Sequence, residues 1–258
     1  MKRYITTILY LLFIIVGSIA FLSIAGIRVG LVDPLSGFLM IKLTVFAAAF
    51  LCFASISFYL LGYFVFNKGK CFNHSTFYII CITISFIYSA SWLTFHYQKK
   101  QLPLLNDVVT DVNAPLMFIR IGDLRHTDDN SIEYSGKASK LQKNYYPDIK
   151  PLVLEAPSDA VFNRVVELVQ SKGWDVVSLY PKEKVIEATV TTPVFWFIDD
   201  VIIQIKDEKG HSVVDMRSSS RIGQGDYGTN AQRVIDFLKE LALIDQEPVS
   251  TLDNETIY

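Results

Sequence analysis

The first hundred residues carry the strongest constraint in this chain: three long apolar runs, with no aspartate or glutamate inside any of them. A bilayer core of about 30 Å offers no water to backbone N–H and C=O groups, so a run of about twenty apolar residues crosses it as a helix. Tyr4 to Ala25 is long enough, and so are the runs at about Phe38 to Phe66 and Phe77 to Phe95. The pattern predicts a membrane anchor over residues 1–97 with transmembrane helices at about 4–25, 38–66 and 77–95. A cleavable signal peptide competes for the first run, because Lys2 and Arg3 precede it. That run exceeds an ordinary signal core and two more spans follow, which favours its retention. Lys42 reads as a snorkelling end marker, and Trp92 and Tyr97 sit where interfacial aromatics belong. Without an acid inside a span, the segment reads as an anchor rather than a proton or ion pathway.

The net charge of -2 argues against nucleic acid as a partner, since neutralising phosphates needs a basic surface. Cys52 and Cys81 lie in apolar runs and Cys71 in the loop between them, so the soluble part has no disulfide framework. Lysine and arginine flank both sides of the spans. Lys2, Arg3, Lys68 and Lys70 mark one side, and Arg28, Lys99 and Lys100 the other. Weighting the amino terminus puts it in the cytoplasm. The expectation is a multi-pass protein of a bacterial inner membrane with its soluble part in the periplasm.

Residues 98–150 hold prolines at 103, 115 and 147 and a charged patch from His126 to Asn130, and predict an irregular strap with one short helix near Pro115 to Ile121. A soluble domain over 151–245 follows. Its strands are expected at Leu152–Glu155, Trp174–Tyr180 and Val185–Thr192, with two more between Asp199 and Arg221. A helix opens at Pro157 and Ser158, the Ser158 hydroxyl serving as its cap; it presents Val161, Phe162, Val165, Val166, Leu168 and Val169 on one stripe and ends at Gly173. A second helix, capped by Thr229 or Asn230, presents Ala231, Val234, Ile235, Leu238, Leu241 and Ala242. This order predicts an α+β fold: an antiparallel sheet with two helices on its apolar face, its polar face left to water, the strap or a ligand. Residues 246–258 read as a flexible tail.

The segments DVVTDVNAP (Asp107 to Pro115), YPDIKPL (Tyr146 to Leu152), GWDVV (Gly173 to Val177), IEATVTTPVFWFIDDVIIQI and VDMRSSSRIGQGDYGTNA together resemble the family catalogued as domain of unknown function 1499, found in bacteria and plastids. The resemblance covers about residues 107–241. It implies the domain and membrane-attached company, and it carries no activity, cofactor or catalytic residue with it.

Candidate ligand-binding residues are Asp199, Asp200, Asp215, Arg217, Arg221 and Asp226. Asp215, Arg217, Ser219 and Arg221 fall on one face of a strand at intervals of about 7 Å, and two arginines so placed can clamp a carboxylate or phosphate bidentately. The competing reading makes them internal salt bridges that hold the strap down. Asp199 and Asp200 are neighbours in a strand and so point to opposite faces, which speaks against a shared metal ion. His74, His96, His126 and His211 are scattered, so neither a metal site nor a cofactor is expected. Ser218, Ser219 and Ser220 lack a nucleophile elbow, and the run from Gly223 to Gly228 lacks the Lys and Ser or Thr of a phosphate loop. Phe195, Trp196 and Phe197 are candidates for contact with the membrane or a partner.

These signals favour a non-enzymatic binding or accessory protein of the cell envelope, with membrane lipids or a membrane-protein partner as ligand. The alternative is a hydrolase acting on an anionic envelope substrate, with the aspartates for acid and base work and the arginines for binding.

Overall fold

The computed structural model describes residues 2–66 and 75–246. The flanking charges Lys68 and Lys70, the loop residues Cys71 and His74, and the tail beyond Gln246 lie outside the described residues. The chain divides into two compact units, one holding the described residues up to Gln101 with Pro193–Trp196, the other the remainder.

The first unit has three helices: α1 (Lys2–Arg28), α2 (Pro34–Leu61) and α3 (Ser75–Lys99), with a π-helical turn at Gly62–Phe66 closing α2. All three are long and apolar enough to cross a membrane. α2 starts four residues before the apolar run does, because the Asp33 carboxylate accepts the Ser36 N–H at 2.9 Å and Pro34 fits the first helical position. Gly37 allows α2 to lie close on α1, since a Cβ there would meet Ile27 Cδ1 at 2.4 Å. Hydroxyl pairs join α3 to the other two helices: Tyr78 with Thr6, and Tyr88 with Thr44, each at 2.9 Å.

The second unit is α+β. Its strands are β1 (Asp107–Val109), β2 (Leu152–Leu154), β3 (Asp175–Tyr180), β4 (Val185–Thr191), β5 (Ile198–Glu208) and β6 (His211–Ser220), in one antiparallel sheet of order β1-β6-β5-β4-β3. β2 also pairs with β6, so β1 and β2 share its outer edge, β1 opposite Arg217 to Ser219 and β2 opposite Ser212 to Val214. Period-two alternation sorts the side chains. Ile186, Ala188, Val201, Ile203, Ile205, Val214 and Met216 face the core beneath α5 (Ser158–Ser171) and α6 (Thr229–Gln246). From the helices come Val161, Val165, Leu168 and Val169, with Ala231, Val234 and Leu241 opposite them. Phe237, outside the expected α6 stripe, is fully buried there and stacks on Trp174 at 5.3 Å.

Three local expectations are corrected. The helix near Pro115 to Ile121 does not form; a 3₁₀ turn at Ile121–Leu124 follows instead, and a helix, α4 (Gly136–Tyr145), occupies a stretch read as irregular. Pro115, and the Ile119 and Arg120 N–H groups that bond Glu187 rather than a preceding turn, keep 111–120 irregular instead of helical. Ser158 is the first residue of α5 rather than its cap, and Pro157 holds that position without a side-chain bond. The cap of α6 is Asp226, whose carboxylate accepts the N–H groups of Gly228 and Asn230 at 2.8 and 2.7 Å. Gly173, by contrast, ends α5 with the positive φ expected of it.

The opposite face of the sheet is roofed by the strap. Phe118 and Ile121, with Leu116 and Ile132 beside them, pack on Val185 and Ile202 and form a second, smaller core. Truncating Phe118 to Ala leaves a void under the strap and is expected to destabilise the domain by about 3 kcal/mol. Thermal unfolding of the full-length variant in detergent, followed by tryptophan fluorescence, checks this.

Candidate functional site

The polar face of the sheet is where the sequence gathers its charges. β6 turns Asp215, Arg217 and Ser219 toward the strap, and β5 turns Asp200 the same way. Arg217 is 1% exposed. Its Nε and Nη2 donate to the two carboxylate oxygens of Asp107 at 3.0 and 2.8 Å, a bidentate pair between β6 and β1. Its remaining donors reach into the strap, to the carbonyls of Leu116 at 2.7 Å and Ile132 at 2.6 Å. The guanidinium also lies over the Phe118 ring, 4.8 Å from its centre. The clamp for a carboxylate is therefore present, and the carboxylate it holds is the chain's own.

Asp200 is fully buried between two arginines. Arg125, from the strap, donates through Nε at 2.8 Å, and Arg221, just past β6, donates through Nη2 at 2.8 Å. Arg125 further binds the Asn130 carbonyl and the Ser219 hydroxyl. Asp215 accepts from Thr110 Oγ1 and pairs with Lys206, both at 2.9 Å. Glu187, fully buried on β4, accepts the N–H groups of Ile119 and Arg120 at 2.6 and 2.7 Å and the Ser178 hydroxyl at 2.8 Å. Arg217, Asp200 and Glu187 thus each hold the strap at a different point.

Asp199 points to the helix side, as neighbours in a strand must. There it pairs with Arg233 of α6 at 2.6 Å. Ser218 donates to Asn230 Oδ1 at 2.6 Å and accepts from Arg233; Ser219 accepts from Arg125 and Ser220 from Asn230. All three serines are buried, Ser218 and Ser220 as polar packing at the start of α6 and Ser219 beneath the strap. Asp226 serves as cap below them. Gly223 and Gly228 take positive φ, as the reading of that loop requires.

Burial raises the carboxyls of both Asp107 and Asp226. At Asp107 the Arg217 guanidinium opposes the rise; at Asp226 the two backbone N–H groups oppose it and the charge of Asp199 adds to it. Burial likewise pushes the Tyr134 and Tyr146 hydroxyls up.

Of the aromatic triplet, Phe195 and Trp196 group with the helical unit. Phe195 meets Phe38 edge-on at 5.2 Å, and Arg28, which also donates to the Pro193 carbonyl, lies 4.7 Å from the Trp196 ring centre. Phe197 belongs to the sheet unit, closing the turn through Thr192. Among the described residues no group of three or more His, Cys, Asp or Glu could hold a metal ion.

The sequence reading missed Asp107, Arg125, Glu187 and Arg233 as members of these networks. Glu187 had a usable signal, an acid in the middle of a strand otherwise bound for burial; Arg125 looks like any loop charge until the strap is laid on the sheet.

These geometries predict how the charged residues respond to truncation. Arg217→Ala leaves Asp107 buried and unpaired, and Asp200→Ala leaves two guanidiniums without their anion. Each is expected to cost about 3–5 kcal/mol and to lower the amount of folded protein recovered. Folded yield and thermal midpoint of the two full-length variants check it; wild-type values for both would show that the pairs are not structural.

No curated protein matches the chain. The family model described as a protein of unknown function, DUF1499, matches residues 107–241, a little over half the chain. The match starts at Asp107, the partner of Arg217, and so takes in the strap and α4 as well as the sheet and most of α6. On this match the chain belongs to the DUF1499 family.

Proposed function

We propose that this is a multi-pass protein of a bacterial inner membrane that carries its DUF1499 domain on the periplasmic side as a non-enzymatic binding or accessory module of the cell envelope, with membrane lipid or a membrane-protein partner as ligand. One observation carries the non-enzymatic part: Asp200 is fully buried between Arg125 and Arg221 under the strap. A general acid or base must reach its substrate, and this carboxylate is shut away from solvent with its oxygens taken up by two guanidiniums. The hydrolase alternative would draw on Asp199, Asp215 and Asp226 as well, and each of these already serves an internal cation or backbone N–H.

Three apolar helices ahead of the domain support the anchor. Arg28 over Trp196, with Phe195 against Phe38 near the start of α2, supports an interfacial role for the aromatic segment, since tryptophan and arginine are both at home among headgroups. The periplasmic side rests on the charges of the amino terminus.

Reporter fusions after Gln246 test the arrangement. A secreted phosphatase fused there is expected to be active and a fluorescent protein dark; the opposite pair of results places the domain in the cytoplasm and overturns this orientation.

A further inference from the structure

α4 is the element that neither the sheet nor the ion networks explain on its outer side. Ser135 caps it, accepting the Ala138 N–H at 3.0 Å, and Gln142 fixes its inner side. The Gln142 side-chain amide behaves like a short piece of strand: its Oε1 accepts the Val109 N–H at 3.0 Å and its Nε2 donates to the Val109 carbonyl. The Tyr134 hydroxyl donates to the same Oε1 at 2.9 Å. Ala138 and Gln142 are buried, so the helix is held against β1 in one rotation.

That rotation turns Lys137, Lys140 and Lys143 to solvent. They recur every third residue, all three are exposed, and α4 has no acidic residue. None of the three pairs with a carboxylate among the described residues; Lys143 reaches only the side-chain carbonyl of Asn113 at 3.3 Å. Glu133 and Asp148 flank the helix and are likewise without a lysine partner there. In a chain of net charge -2, a helix bearing three uncompensated positive charges is a local inversion of sign.

The carboxyl end of this helix lies where the domain's chain begins. A Cβ at Gly228 would sit 3.1 Å from Leu102 and 3.2 Å from the Tyr146 hydroxyl, so Leu102, the residue after α4 and the start of α6 converge. Leu102 is three residues past Lys99, the end of α3, a reach of about 10 Å. Tyr145, at the last turn of α4, is 52% exposed.

We infer that the Lys137, Lys140 and Lys143 face of α4 is a docking surface for the anionic headgroups of the bilayer in which this chain is anchored. The inference rests on the membrane-anchored reading above and names the chemistry of one of its partners. Charge complementarity supplies the attraction. The short connection to α3 tethers the domain to the membrane-spanning unit, so association needs no encounter between separate molecules. A tyrosine at the same end suits the headgroup layer. The surface serves either face of the membrane, since anionic phospholipid is the requirement.

The test uses the full chain reconstituted in vesicles of phosphatidylcholine alone and of phosphatidylcholine with phosphatidylglycerol, floated to confirm insertion. A water-soluble acetylating reagent and mass spectrometry then read the modification rate of each lysine. Labelling of Lys137, Lys140 and Lys143 is expected to slow by about fivefold each in the anionic vesicles at low salt and to recover at high salt, while Lys182 and Lys209 are unaffected. Equal rates in the two vesicle types overturn this inference alone, as does slowing shared by Lys182 and Lys209. A chain that fails to float with either vesicle overturns the anchored reading, and this inference with it.

Discussion

The soluble domain depends on one buried guanidinium. Arg217 ties β6 to β1 through Asp107 and ties both to the strap through the carbonyls of Leu116 and Ile132. Without it, nothing on the sheet would match two backbone carbonyls that the strap must bury, and a buried acceptor without a donor costs about 1–3 kcal/mol. Glu187 solves the complementary problem for the strap's N–H groups at Ile119 and Arg120. Between them a basic and an acidic side chain provide the bonds that a neighbouring strand would otherwise give. The strap can therefore lie irregular and still be satisfied.

This arrangement also explains why the sheet has a charged face that is not a wet one. Replacing such pairs by apolar residues would often be neutral for stability, whereas charged pairs admit only one alignment. Arg125 on Asp200 and Arg217 on Asp107 fix the register of a segment with little regular structure, and Phe118, under both guanidiniums, fills the space between them. The apolar contribution comes from Phe118 and Ile121; the charges decide where those residues land. The helix side follows the same logic on a smaller scale, with Asp199, Arg233 and Asn230 setting the start of α6.

Much of this fold was legible in the sequence, and the part that was not has a common cause. The alternation of Val201, Ile203 and Ile205 with Ile202 and Gln204 assigns faces because strand geometry is local, and the same rule separates Asp199 from Asp200 correctly. The stripes on α5 and α6 were readable for the same reason, except that Phe237 and not Leu238 is the deepest residue of its turn. What covers the polar face was not readable: Asp107 and Arg217 are 110 positions apart, and no local pattern joins them. α4 was missed because it is short and lysine-rich and lies between prolines. Its signals were Ser135 as cap and the spacing of Ala138 and Gln142. The candidate ligand-binding residues Asp199, Asp200, Asp215, Arg217, Arg221 and Asp226 all have hydrogen-bond partners within the chain, most of them distant in sequence.

The central claim is that the strap is a permanent layer of the domain, occupying the face where a ligand would otherwise sit. Hydrogen exchange of the full-length protein measures this most directly, at the amides of Ile119 and Arg120 that Glu187 accepts. If the claim holds, these two amides exchange as slowly as those of Ile202 and Ile203 in β5, because releasing them requires breaking the buried pairs. Exchange at the rate of an open surface loop would contradict it, and would mean that the strap lifts from the charged face while the sheet stays folded.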